Sequence, residues 1–295
     1  MDKNFTEEEF YETYQELLEE LVEGCSPVAS PTAYVLGGQS GSGKSTLHKY
    51  IQSKNANYVV VDGDTFRQQH PHFEELVNEH GPKGMQYTYE FSGRMIDEIV
   101  TELSDRKYNL IVEGTLRTSE VPLHSAQLFK SMGYQVELYV MVVKPELSYL
   151  STILRYEQMR ELNPLTARAT PKAHHDLIIE KMPANLNELY QSGVFDEIIL
   201  MNRNNEILYQ MTETPVITPK LTLEEHWFRD FEPREFEMFN QSADMIMELL
   251  KGREVSDEEY KIIYNAFDAI ESQKEVSREE ERHQEKNNDA PPRTL

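Results

Sequence analysis

Residues 37–46 read Gly37-Gly38-Gln39-Ser40-Gly41-Ser42-Gly43-Lys44-Ser45-Thr46, and residues 38–45 fit the spacing G-x-x-x-x-G-K-[ST]. Glycines at these positions let consecutive backbone N–H groups curl around one anion. A helix beginning at the lysine adds the positive end of its dipole. Gly38, Gln39, Ser40, Gly41, Ser42, Gly43 and Thr46 are therefore expected to line a phosphate cradle. Lys44 is expected to reach the β- and γ-phosphates, and Ser45 to offer its hydroxyl to Mg²⁺. The implied ligand is a nucleoside triphosphate, ATP, with Mg²⁺.

Three further groups of residues could serve phosphoryl transfer. Val59-Val60-Val61-Asp62-Gly63-Asp64 ends an apolar run with two acids in three residues. One of them suits the metal or its waters, and the other suits a base that takes a proton from a substrate hydroxyl. An Asx turn with a helix N-cap explains either acid equally well. A phosphate loop needs no base after the second strand, so the pair points to a kinase of a small alcohol. Leu110-Ile111-Val112-Glu113 is another apolar run ending in an acid, followed by Thr115 and Arg117. Glu113 could touch the metal or hold a sugar hydroxyl. Arg155 and Arg168 bracket a proline-broken loop, as a nucleotide lid would. A guanidinium fork binds phosphate oxygens bidentately and can neutralise charge on a transferring phosphoryl group.

These residues need a scaffold that brings strand ends together. Apolar runs at 33–36, 58–62, 109–113, 135–143 and 197–202 predict strands, and helical patterns at 44–54, 89–105, 122–132, 145–161 and 170–191 alternate with them. That order predicts an α/β fold of the P-loop kinase type: a mostly parallel central sheet, helices on both faces, and a C-terminal helical extension. Ligands of such sheets sit beyond the carboxyl ends of the strands, so residues 37–45, 62–65 and 113–118 should converge on one cleft. An amphipathic helix over 6–23 precedes the kinase-like domain of residues 26–220, with Thr6 and Glu9 as a capping box. Its stripe of Phe10, Tyr14, Leu17, Leu18 and Leu21 could pack on its own domain or dock a partner. Helices are expected again over 222–230, 234–251 and 256–270, with Met238, Met245 and Met247 filling a core. Residues 273–295 read as a fraying helix and a disordered tail.

Composition narrows the function. The 295 residues carry 52 acids against 29 bases, a net charge of −23, which argues against a nucleic-acid-binding face. No apolar run reaches membrane-spanning length, and the first residues hold no signal-peptide h-region. One cysteine, Cys25, suits a reducing compartment, so the expected location is the cytoplasm. An anionic ligand in so acidic a chain requires the arginines to gather at the site.

Five blocks in order carry a family resemblance: residues 37–45, Asp62-Gly63-Asp64-Thr65-Phe66-Arg67-Gln68-Gln69-His70-Pro71, residues 109–118, Tyr149-Leu150-Ser151-Thr152-Ile153-Leu154-Arg155-Tyr156-Glu157, and Ala167-Arg168-Ala169-Thr170-Pro171-Lys172. Together they resemble the zeta toxins of bacterial toxin–antitoxin systems, from about residue 26 to 203. The resemblance implies an ATP-dependent kinase acting on the sugar 3′-hydroxyl of UDP-N-acetylglucosamine, whose product poisons peptidoglycan synthesis. It implies Asp64 as catalytic base, Lys44 and Ser45 as ligands of ATP and Mg²⁺, and Arg155 and Arg168 as stabilisers of the γ-phosphate. Glu113, Thr115 and Arg117 would bind the UDP-sugar. Asp97 stands where the family typically has Glu, with a shorter reach to substrate. A small antitoxin would dock near the N-terminal helix and block nucleotide entry. The residues taken without the resemblance also fit a P-loop kinase of a different hydroxyl substrate.

Overall fold

The central strands are apolar at both odd and even positions, and this pattern builds two cores. The protein was analysed as a computed structural model, which describes residues 4–164, 167–212 and 216–288. In β1 (Thr32–Gly37), Ala33 and Val35 join one core and Tyr34 and Leu36 the other. In β4 (Gln135–Met141), Val136, Leu138 and Val140 divide from Tyr139 and Met141 in the same way. This is the period-two alternation of strands covered on both faces. With β2 (Val59–Val61), β3 (Leu110–Glu113), β5 (Glu197–Met201) and β6 (Ile207–Gln210) the sheet order is β2-β3-β1-β4-β5-β6. The β2/β3, β3/β1, β1/β4 and β4/β5 pairs are parallel; β5/β6 is antiparallel.

The sixth strand was not expected from the sequence. It is four residues long with one buried position, too short for an alternation signal. It returns through Asn202-Arg203-Asn204-Asn205, where Asn205 adopts φ 62°. That left-handed conformation is one Asn tolerates well.

Helix α1 (Glu7–Val22) starts at a capping box made by Thr6 and Glu9, and it buries Phe10, Tyr14, Leu17 and Leu18. Its apolar face packs on the chain's own domain. Phe10 meets Phe91 of α5 (Tyr89–Asp105) at 5.5 Å between ring centroids, and the Arg94 guanidinium lies 4.0 Å from the Phe10 ring centre. Helix α2 (Ser45–Lys54) follows the glycine loop, and α3 (Gly63–Gln68) follows β2. Helix α4 (Phe73–His80) and a 3-10 stretch (Gly81–Thr88) lead into α5. Helix α6 (Glu120–Ser131) connects β3 to β4. Two long helices, α7 (Pro145–Leu162) and α8 (Lys172–Gln191), flank the lid region between β4 and β5.

Beyond β6, α9 (Pro219–Phe228) buries Leu223 and Trp227 in the first core. Helices α10 (Pro233–Leu250) and α11 (Asp257–Asn288) place Phe239, Ile246, Ile263 and Ile270 in the second core, with Leu147 and Leu150 of α7. Met247 packs against this core, as expected. Met245 does not: it is 47% exposed, because its place on α10 faces away from α7. Among the described residues no helix is long and apolar enough to cross a membrane.

His70 is buried beside Phe5 and Phe91; its Nδ1 accepts from the His72 N–H at 3.1 Å and its Nε2 has no partner. Burial, reinforced by His72, pushes its pKa down to about 4. Below the ordinary histidine range the unfolded chain then takes up a proton that the folded one refuses, so stability falls as pH drops from about 6.5 towards about 4. Replacing His70 by Phe should flatten that limb by up to about 1.4 kcal/mol per pH unit, read from denaturant unfolding at a series of pH values. Phe10→Ala should cost about 3–5 kcal/mol in the same assay, whereas Glu12→Ala on the exposed face of α1 should change stability by less than about 0.5 kcal/mol.

Candidate active site

β1 lies between β3 and β4, where the strand order reverses, and the glycine loop follows it directly. Crevices in parallel sheets open at this place. Two glycines are required there by space as well as by conformation. Gly41 has φ +74°, and a Cβ on it would stand 2.1 Å from the Ser148 carbonyl oxygen and 2.8 Å from Thr152 Cγ2 of α7. Gly43 has φ +88°, and its Cβ would lie 3.3 Å from Arg203 Nε.

Arg203, on the turn after β5, binds the loop through its carbonyl oxygens. It donates from Nε to Ser42 O at 2.9 Å and from Nη2 to Gly41 O and to Ser151 Oγ. Burial pushes this guanidinium down to about 10. Among the described residues, the N–H groups of Gly41, Gly43, Lys44 and Ser45 donate to no backbone carbonyl. The loop thus has its acceptors engaged and its donors free, as an anion cradle requires. The Ser42 hydroxyl is buried without a partner at the same place, and Ser45 is exposed at the start of α2. Gln39 is fully buried and donates to Val143 O at 2.6 Å. These features fit a bound phosphate chain.

Lys44 donates to Gly38 O at 3.3 Å. Burial pushes its ammonium below the ordinary lysine range, with the charge of Glu113 pulling the other way. Burial likewise works against the Glu113 carboxylate, but the hydrogen bond from His48 and the charge of Lys44 hold its pKa below the usual range. His48 Nε2 is 2.6 Å from Glu113 Oε1.

Asp62 turns out to be the N-cap of α3: it accepts from the Asp64 N–H at 3.0 Å and from the Thr65 hydroxyl at 2.9 Å. Asp64, in the first turn of α3, is exposed and is held by Arg67 at 2.6 Å and by Arg168 at 3.4 Å. Lys44 feels the charges of Arg155 and Asp64. Arg168, from the expected lid, thus meets the acid after β2.

A cleft of about 700 Å³ joins these parts, lined by Gly41, Lys44, Ser45, Asp62, Glu113, Arg155 and Arg203 among others. That is a normal size for a small-molecule site. Leu21 of α1 also lines it. Asp64, Arg168, Asp97, Thr115 and Arg117 are not on its wall; Arg168 lines a separate cavity of about 180 Å³. Asp97 and Arg117 are exposed, on α5 and on the turn after β3, and Thr115 is half-buried on that turn. His48, Ser151 and Arg203 belong to the site and were not singled out from the sequence. Arg203 sits just past a predicted strand end, a usable signal; His48 has none beyond its place one turn after Ser45.

Gly41→Ala should distort the loop against α7. The expected result is loss of nucleotide affinity by tenfold or more, and about 1–3 kcal/mol of strain, checked by calorimetric titration with ATP and by denaturant unfolding.

Comparison with known proteins agrees with this geometry. A family model described as Zeta toxin matches residues 16–214. The Toxin zeta of Streptococcus pyogenes is 41% identical over 268 residues, covering 90% of this chain and 93% of that protein. Toxin PezT of Streptococcus pneumoniae is 41% identical over 250 residues, 84% of this chain and 98% of that one. A chain solved in the characterization of the PezAT chromosomal toxin–antitoxin system of Streptococcus pneumoniae superposes with a TM-score of 0.77 at 38% identity, over 84% of this chain and 98% of its own. A complex of AvrRxo1-ORF1 and AvrRxo1-ORF2 with ATP gives a TM-score of 0.54 at 14% identity, over 92% of this chain and 87% of that one, a likeness of fold alone. With two thirds of its length matched by the family model and relatives above 40% identity across most of it, this chain belongs to the zeta toxin family.

Proposed function

We propose that the protein is an ATP-dependent kinase that phosphorylates the 3′-hydroxyl of the sugar of UDP-N-acetylglucosamine. It acts in the cytoplasm as the toxin of a toxin–antitoxin pair, and its product blocks peptidoglycan synthesis. The observation that carries this reading is the pairing of Asp64 with Arg168 at 3.4 Å, with Asp62 and Thr65 on either side of Asp64 lining the Lys44 cleft. A protein that only bound nucleotide would need neither group there.

In this mechanism the N–H groups of the loop and Lys44 hold the phosphates of ATP. Ser45 would hold Mg²⁺, which would supply neutralisation of the phosphate charge. Ser45, exposed at the start of α2, would offer its hydroxyl to the metal. Asp64 takes the proton of the attacking hydroxyl as its oxygen bonds to the γ-phosphorus and the bond to the β–γ bridging oxygen breaks. Arg168 exchanges its contact with Asp64 for the transferring phosphoryl, joined by Arg155. Glu113, kept ionised and oriented by His48, accepts from a hydroxyl of the UDP-sugar. Thr115, Arg117 and Asp97 complete the substrate contacts. The antitoxin covers the nucleotide entrance near α1, whose Leu21 already lines the cleft.

Incubation with ATP and UDP-N-acetylglucosamine should give a sugar nucleotide heavier by one phosphoryl group, read by mass spectrometry. Absence of that product, with another hydroxyl compound phosphorylated instead, would leave a kinase of different substrate. Asp64→Asn should fold and bind ATP normally while turnover falls about 10²–10⁴-fold; near-normal turnover would remove the assigned base.

A further inference from the structure

A second cavity, of about 600 Å³, lies among α7, α8 and α11. Helix α7 separates it from the nucleotide cleft: Ser151 and Arg155 line the cleft, while Tyr149, Ile153 and Tyr156 line this cavity. Ile262, Ile263 and Ala266 of α11 close the other side. The wall is mainly apolar, with two tyrosine rings, the composition of a small-molecule site.

Most charges at its edge are already matched. Glu157 accepts from Arg253 at 2.9 and 2.8 Å, and Glu259 from Arg253 at 3.0 Å and from Arg160 at 3.3 Å. Lys172 pairs with Asp176. Two polar atoms of lining residues are left over: Glu146 Oε2 and His175 Nδ1 are both buried without a hydrogen bond. Lys144, the base nearest Glu146 in sequence, directs its ammonium to the carbonyls of Trp227 and Arg229 instead.

His175 is 1% exposed, and burial pushes its pKa down to about 4, so it is neutral at pH 7. Its Nε2 lies 2.8 Å from Ser148 Oγ, which also lies 2.9 Å from Pro145 O and accepts from Gln39 Nε2 at 3.3 Å. A hydroxyl has one proton. With that proton on the carbonyl of Pro145, His175 carries its own on Nε2; with it on Nε2, His175 carries its own on Nδ1, which faces Asp176 Oδ1 at 3.7 Å. In either tautomer the carboxylate oxygen Glu146 Oε2 is an acceptor left over. The rings nearby already attract cations, since Lys172 Nζ sits 5.2 Å from the Tyr149 ring centre and the Arg160 guanidinium 5.7 Å from that of Tyr156.

We propose that this cavity is a ligand site for a small, ring-bearing, mainly apolar molecule with one protonated amino group, and that its occupancy is felt at the phosphate loop through His175, Ser148 and Gln39. An ammonium has three donors and no acceptor, so it matches Glu146 Oε2 where a carboxylate does not. The path to the loop is short: Ser148 hydrogen-bonds Gln39 by its side chain, and its carbonyl oxygen is the atom that a Cβ on Gly41 would strike. The inference does not depend on which substrate the nucleotide cleft phosphorylates.

Tryptamine is a suitable probe, with indole-3-acetate as the same ring bearing the opposite charge. Calorimetric titration of the full chain should give tryptamine a dissociation constant of about 1 mM or tighter, and indole-3-acetate one at least tenfold weaker. Glu146→Gln should erase that preference. Ala266→Phe and, at an exposed rim position less able to disturb folding, Ala269→Trp should abolish tryptamine binding while ATP affinity measured without the probe stays as in the parent. Saturating tryptamine should shift ATP affinity about threefold or more, and ATP should shift tryptamine affinity by the same factor. No tryptamine binding up to about 10 mM, equal binding of the anion, or binding that survives Ala269→Trp would overturn the site. Bound tryptamine with unchanged ATP affinity would overturn the link to the loop.

Discussion

The phosphate loop depends on being gripped from outside by its carbonyl oxygens. Arg203 holds Gly41 O and Ser42 O, and the backbone of α7 closes on Gly41 so tightly that no side chain fits between them. With acceptors tied down and donors left over, the loop is shaped for an anion before one arrives, so little ordering cost remains for binding. Both restraints come from elements distant in sequence. The two halves of the sheet must therefore be assembled before the loop has its shape.

Electrostatics at the site run against those of the chain. The whole carries a net charge of −23, yet Lys44, Arg155 and Arg203 line one crevice, and Arg168 pairs with Asp64 between two residues of its wall. The acids among them are each engaged. Glu113 holds His48, Asp62 caps α3, and Asp64 is shared by Arg67 and Arg168. Repulsion of an incoming polyphosphate by these carboxylates is blunted by partners that already face them. Most of the remaining acids lie on outer surfaces, where salt screens them; Glu157 is buried and paired with Arg253.

What could be read in advance followed physical range. The glycine loop is a local spacing rule, and the five parallel strands are local apolar runs, so both were visible in the sequence. The capping box of α1 needs only Thr6 and Glu9, three residues apart. His48 and Glu113 are 65 residues apart, and Arg203 and Ser42 are 161 apart, so their pairing exists only once the sheet order is known. Asp62 could be read as a metal ligand or as a cap, and only α3 itself decides that it caps. The family resemblance supplied roles for Asp97, Thr115 and Arg117, while none of the three reaches the cleft wall. Met245 was misjudged because helical spacing alone does not say which side of α10 meets α7.

The sheet's margins are unusually brief. β2 offers three residues and β6 four. An open margin is a template on which another molecule can lay a strand, and long flat ones seed aggregation. Here so few unpaired amide and carbonyl groups are presented that a stray chain would gain little by adding itself, and the surplus of acids on the outer helices repels a like neighbour before it arrives.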